Sequence, residues 1–435
     1  MDLKIFDRME SEVRGYVRSF PVVFKQARGS VLIDEAGKEY IDFFSGAGTL
    51  NYGHNNPVFK EKLIEYLDTD GLVHGLDMAT CAKRYFLETV ERVLLKPRQW
   101  QYVLQFTGPT GTNAVEAALK LARQVKGRHN VISFTHGFHG VSSGSLAATA
   151  NAKFRGAAGV SLGNTTFMPY DGYMGPDFNT IDYLERMLAD SSSGLDHPAA
   201  VIVETVQGEG GVNVASHRWL RDLERVCRQF DMLLIVDDIQ VGCGRTGSFF
   251  SFDSVGIRPD IITLSKSLSG FGLPMSLVLM RSELDIWKPG AHNGTFRGNN
   301  LAFVTAAQAL DSYWTTPTFG ESVRRKEALV RDWLENLVHS HPGEGLSVRG
   351  RGLIQGLVMT GGEDMASRVA RKAFEHGLVI ETSGASDEVL KVLPALTINE
   401  DQLRRGLEII ERSVGEVLGE GRGGAHVLRF GGKKR

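Results

Sequence analysis

Three apolar runs in the middle of the chain each close on a charged side chain: Ala199-Ala200-Val201-Ile202-Val203-Glu204, Met232-Leu233-Leu234-Ile235-Val236-Asp237, and Ile261-Ile262-Thr263-Leu264-Ser265-Lys266. Short aliphatic runs without polar alternation predict strands buried on both faces, the pattern of a parallel sheet. Between the first two, Trp219, Leu220, Leu223, Val226, Cys227 and Phe230 recur at helical spacing. They predict a helix over 216–230, ended at Asp231, whose apolar stripe covers the sheet. Residues 130–134 predict another strand, and residues 29–43 read as strand, turn, strand. The expected architecture is α/β: a large, mainly parallel sheet lobe with helices on both faces, plus a smaller α+β lobe. Residues 1–55 are expected to form an N-terminal arm and part of the small lobe, 56–305 the α/β lobe that binds cofactor, and 306–420 the rest of the small lobe. Residues 421–435 read as a mobile, basic, glycine-rich tail.

Ligands of such sheets sit beyond the carboxyl ends of the strands. Glu204, Asp237 and Lys266 are therefore expected in one cleft. A single charge at a strand end marks no more than the return of the chain to solvent, but three together favour a shared site. A buried lysine facing a ligand suggests a Schiff base, and a carboxylate on the next strand suggests a partner for a protonated pyridine nitrogen. The combination points to pyridoxal phosphate. Thr107-Gly108-Pro109-Thr110-Gly111-Thr112-Asn113 precedes a helix, where backbone N–H groups attract phosphate; ordinary helix capping uses the same residues. Phe138, beyond the 130–134 strand, is placed to lie on a ring. His136 and His139 have no third ligand at helpful spacing, so no metal is expected.

The remaining composition narrows the class. At 435 residues, with 42% hydrophobic and 23% charged residues and 50 glycines, the chain suits a globular enzyme of two lobes. A net charge of −2 argues against nucleic acid or a membrane surface as partner. Residues 1–12 lack the apolar core of a signal peptide, and no apolar run reaches membrane-spanning length, so a cytoplasmic location is expected. Cys81, Cys227 and Cys243 suggest neither a disulfide framework nor a thiolate metal site. A nicotinamide dehydrogenase is disfavoured because the loop at Gly108 lacks the dinucleotide-binding glycine spacing.

The loop 108–113 with the helix after it, Glu204-Thr205-Val206-Gln207-Gly208-Glu209-Gly210-Gly211, residues 237–247, and Leu264-Ser265-Lys266 resemble the class III aminotransferases over about residues 20–415. The resemblance implies a fold-type I homodimer, or a dimer of dimers, with active sites at the subunit interface. It implies that Lys266 forms the Schiff base, Asp237 partners the pyridinium, Gln240 contacts the ring hydroxyl and Phe138 stacks on the ring. Glu204 would lie beside the cofactor, and Gly111 and Thr112 would bind its phosphate, with Thr295 reaching the phosphate of the opposite subunit. Glu209 would be a switching carboxylate beside the substrates, which would be small amino acids and aldehydes or keto acids. Residues 12–24, 40–57 and 296–300 further resemble the branch that serves ectoine biosynthesis, moving glutamate's amino group onto aspartate 4-semialdehyde. A terminal-amine branch of the ornithine or 4-aminobutyrate type is the alternative. Ornithine-type members carry arginine where this chain has Lys391, three residues before Pro394, and lysine lacks the bidentate fork. Carboxylate recognition is therefore expected from Lys391 together with Arg297; an exposed salt-bridge lysine is the other reading of Lys391.

Overall fold

The computed structural model describes the backbone of residues 3–427 and the side chains of residues 3–419. Its centre is a seven-stranded sheet, in spatial order Tyr102–Phe106, Leu277–Arg281, Ile261–Leu264, Leu233–Asp237, Ala200–Val203, Val131–Phe134 and Thr165–Met168. Leu277–Arg281 runs antiparallel to both of its neighbours, and the other pairings are parallel. The three apolar runs thus form adjacent strands. Their pairing sets Val203 beside Val236 and Thr263 beside Asp237, so the charged ends lie side by side.

Successive strand side chains point to opposite faces, and the two faces are covered by different helices. Ala200, Ile202 and Ile235 pack against Ala114, Val115 and Ala118 of the helix Gly111–Lys126. Val201, Val203, Leu234 and Val236 pack against Trp219, Leu223 and Val226 of the helix His217–Gln229. Ser216 caps the latter, its hydroxyl accepting from the Trp219 N–H at 3.2 Å. Beyond its end Asp231 takes the left-handed conformation (φ 51°) that turns the chain into the next strand.

A second apolar core gathers Ile41 and Phe43 with residues from Val323 to Val417. The antiparallel strands Phe24–Arg28, Val31–Asp34 and Glu39–Asp42 are completed by Leu378–Val379, which pairs parallel to Glu39–Asp42. Next to them lies a four-stranded antiparallel sheet of Leu346–Arg351, Ile354–Met359, Val389–Val392 and Glu381–Ser383. Fully buried Arg245 joins the two parts: its guanidinium donates to Leu353 O at 3.0 Å, to Pro394 O and to the Asn51 side chain.

The expected tail is corrected in part. The helix Glu400–Val427 runs on through residues 421–427. Its stripe of Leu403, Leu407, Ile410, Val414 and Val417 is seated in the core, and a helix so anchored propagates at one hydrogen bond per residue, past glycines that would not start one. Residues 428–435 lie outside the described residues. Among the described residues, no helix is long and apolar enough to cross a membrane.

Candidate active site

The strand Ile261–Leu264 ends two residues before Lys266, which has a left-handed backbone (φ 50°) and opens the short helical turn Lys266–Ser269. That conformation costs a non-glycine residue about 1–3 kcal/mol. Neighbouring bonds hold it: the Ser265 hydroxyl donates to Met275 O at 2.9 Å and the Ser267 hydroxyl to Gly48 O at 2.7 Å. The Lys266 ammonium donates to Ala47 O at 2.8 Å. Burial lowers its pKa, with Glu209 opposing the shift, so the free amine is within easier reach than on an exposed lysine.

Asp237 is held on both carboxylate oxygens. Oδ1 accepts from the Thr263 hydroxyl at 3.0 Å and from the Ile239 N–H at 3.3 Å, and Oδ2 lies 2.7 Å from His139 Nδ1. Glu204 Oε2 accepts from the Phe138 N–H at 2.9 Å, which fixes the loop carrying that ring. Burial, reinforced by Asp237, pushes the Glu204 carboxyl well above the usual carboxylate range.

Glu209 follows the short strand Val206–Gln207. Its Oε1 accepts from Lys391 Nζ and from Gln240 Nε2, each at 2.8 Å. Burial alone would raise this carboxyl, but Lys391 and Lys266 outweigh it and hold it at about 2. Lys391 is 0% exposed and also lies 2.9 Å from Glu381 Oε1, directly opposite in the strand pairing. The reading of Lys391 as an exposed salt-bridge lysine is thereby corrected: its partners are two carboxylates inside the protein. Desolvation lowers its pKa, yet Glu209 and Glu381 more than reverse this and hold the ammonium charged.

Gly111, Thr112, Phe138, Glu204, Glu209, Asp237, Gln240 and Lys266 line one cavity of about 230 Å³. The 108–113 loop both caps and lines. The Thr110 hydroxyl bonds Asn113 Oδ1 at 2.8 Å, while Gly111 and Thr112 open the helix at the cavity wall. The Thr112 hydroxyl turns to Ser142 and Ser145, at 2.6 and 2.5 Å, leaving the cavity to the first-turn backbone. A second cavity, of about 440 Å³, shares Phe138 and Glu209 with the first and adds Lys153, Tyr173, Thr382 and Asp387. Glu209 therefore stands where the two meet.

Thr295 and Arg297 do not line the Lys266 cavity of their own chain. Thr295 is exposed, and Arg297 is ion-paired with Asp77. Sequence reasoning missed two members of the site. From spacing alone His139 offers itself only as a metal ligand, although one histidine facing a buried carboxylate is enough to orient it. Glu381 gave no sign in its own segment; its cue was Lys391 on the neighbouring strand, legible only once the pairing is known.

Residues 14–414 match the family model of the class-III aminotransferases. The chain is 78% identical over 435 residues, all of both proteins, to a diaminobutyrate–2-oxoglutarate transaminase of Bordetella parapertussis. It is 58% identical over 421 residues, 96% of this chain and 100% of the relative, to the protein of the same name from Halomonas elongata. The ornithine aminotransferase of Toxoplasma gondii, whose crystal structure revealed partial occupancy of pyridoxal phosphate, superposes with a TM-score of 0.83 at 27% identity, covering 96% of this chain and 94% of that one. The chain belongs to the class-III aminotransferases.

Proposed function

We propose that this aminotransferase moves the amino group of L-glutamate to L-aspartate 4-semialdehyde, giving L-2,4-diaminobutyrate and 2-oxoglutarate, as in ectoine biosynthesis. The observation that carries this reading is the 78% identity along the whole chain to a protein named for that reaction. The Glu209–Lys391 pair beside Lys266 supports it. A cation held by a displaceable carboxylate suits one substrate with a carboxylate near its reacting carbon and another that reacts at a far, uncharged end.

The cavity fits pyridoxal phosphate. Buried Gln240 Oε1 has no partner, an acceptor left for the ring hydroxyl, and the first turn of the helix Gly111–Lys126 lines the cavity. Lys266 would bond the aldehyde, Asp237 would hold the ring nitrogen protonated, Gln240 would meet the ring hydroxyl and Phe138 would lie on the ring. The N–H groups of Gly111 and Thr112 would take the phosphate. When bound, this cofactor withdraws the electrons left as the substrate's Cα proton departs. Lys266 Nζ, with its lowered pKa, then carries that proton from one carbon to the other. His139 keeps Asp237 aimed, and Lys391 orients the substrate's carboxylate once Glu209 has turned aside.

The same reading gives a homodimer in the cytoplasm. Leu72, Val73, Leu76, Met78, Tyr85 and Phe296 are all exposed around the segments that hold Thr295 and Arg297, an apolar surface suited to a second subunit. Across that interface Thr295 would reach the other subunit's phosphate and Arg297 would share in binding the substrate carboxylate.

The test is a screen of half-reactions with the cofactor-loaded enzyme. 2,4-Diaminobutyrate should yield a semialdehyde and 2-oxoglutarate should restore the starting form, while ornithine and 4-aminobutyrate show kcat/KM lower by at least about tenfold. Turnover of ornithine equal to or better than that of diaminobutyrate overturns the substrate assignment.

A further inference from the structure

Lys391 sits between two carboxylates that differ in freedom. Glu209 follows a two-residue strand, its side chain is 29% exposed, and it faces both cavities. Glu381 lies within the strand Glu381–Ser383, paired residue for residue with Lys391, and its side chain is 10% exposed. A substrate carboxylate can take the place of the first by turning Glu209 aside into the neighbouring cavity. It takes the place of the second far less readily, because strand pairing holds Glu381 opposite Lys391 and its nearly buried side chain has little room to turn. Among the described residues the ammonium has no side-chain partner beyond these two. If only Glu209 held it, the long lysine stem would follow Glu209 as that carboxylate swung away.

We propose that Glu381 is a positioning residue for glutamate: a fixed counter-ion that keeps the Lys391 ammonium aimed into the site while Glu209 leaves and the substrate carboxylate replaces it. This rests on the reading of glutamate as amino donor. In the half-reaction of the diamino acid, which reacts at its terminal amine, Glu209 stays on Lys391 and Glu381 is dispensable. Glu381 thus supplies what a single lysine lacks beside a bidentate arginine, namely a defined direction for its charge.

The experiment, run above about pH 8 so that the Glu381 carboxyl is ionised, compares Glu381→Gln, nearly isosteric, and Glu381→Leu with the wild-type holoenzyme in the two half-reactions measured separately. Binding of glutarate, a dicarboxylate that cannot react, is followed by calorimetry. In Glu381→Gln the glutamate half-reaction should lose about fivefold in kcat/KM through KM as the ion pair with Lys391 is lost, and glutarate should weaken to match. Glu381→Leu should lose more, and diaminobutyrate turnover should stay within about twofold of wild type in both variants. Equal losses in the two half-reactions, or unchanged glutarate affinity in Glu381→Gln, overturn the proposal. Should the wild type ignore diaminobutyrate, the substrate reading of the preceding section falls, while the glutamate and glutarate arms still decide the role of Glu381.

Discussion

Asp237 and Glu209 are both carboxylates near Lys266, the first buried and the second partly exposed, and they are built in opposite ways. Asp237 ends a central strand and is gripped on both oxygens by neighbours on other elements, Thr263 and His139, as well as by a backbone N–H. Glu209 rides a loop, is held through one oxygen by Lys391 and Gln240, and borders two cavities. One carboxylate is placed so that it cannot turn; the other is paired so that it can. On the proposed function, the site divides into a rigid floor for the chemistry common to both substrates and a movable wall for telling them apart.

The floor should tolerate least. Lys266→Ala is expected to abolish turnover while leaving the fold intact by circular dichroism, and borohydride trapping of bound pyridoxal phosphate followed by peptide mapping should label Lys266 in the wild type. A label on a different lysine would move the whole site. Asp237→Asn should slow the chemical step by about two to three orders of magnitude at unchanged Tm, since an amide cannot hold a ring nitrogen protonated. Normal single-turnover rates in that variant would show that the rigid carboxylate is not the ring partner.

A smaller effect is expected where a second subunit completes the wall. Thr295→Ala should weaken cofactor retention. Mixing it with Lys266→Ala protein should return roughly a quarter of wild-type activity, since random pairing gives hybrids with one intact site. No recovery after verified subunit exchange would remove Thr295 from the partner's site. The smallest effect concerns pH. Burial raises the Glu381 carboxyl from 4.5 to about 7, against the pull of Lys391. Between those values the folded state holds a proton that the unfolded state has lost, so this group lowers stability as pH rises from about 4.5 to about 7. The slope of Tm over that window should be shallower in Glu381→Gln; an unchanged slope would mean that the carboxyl titrates as it does in water.

The floor was largely legible in the sequence. Val201, Ile202, Ile235 and Ile262 mark their strands by being apolar on both faces, and the polar residue after each run marks the sheet edge where ligands bind. Lys266, Asp237 and Glu204 follow from that pattern alone. Of the wall, Glu209 and Lys391 were reached only through the family resemblance and Glu381 not at all, because the wall depends on pairings between distant segments. Glu209, Glu381 and Lys391 belong to three strands or loops whose register no local pattern records, and Lys391 in isolation resembles any surface lysine. His139 escaped for a related reason, since its partner lies 98 positions away in the chain. Residues 421–427 read as tail because glycine content argues locally, whereas packing of Val414 and Val417 argues from elsewhere.

The division of the central strands between two helical layers has an evolutionary corollary. Ile235 faces one layer, Val236 the other, and Asp237 emerges at their end. Inserting one residue into Leu233–Asp237 would exchange the layers seen by every side chain beyond it. Inserting two would restore the faces but push the carboxylate about 6.6 Å along the strand, at about 3.3 Å per residue, away from both Thr263 and His139. Natural length variation in this lineage should therefore collect in the loops around Glu209, where a changed reach alters which amines are accepted, and spare the strand whose parity and length locate the ring.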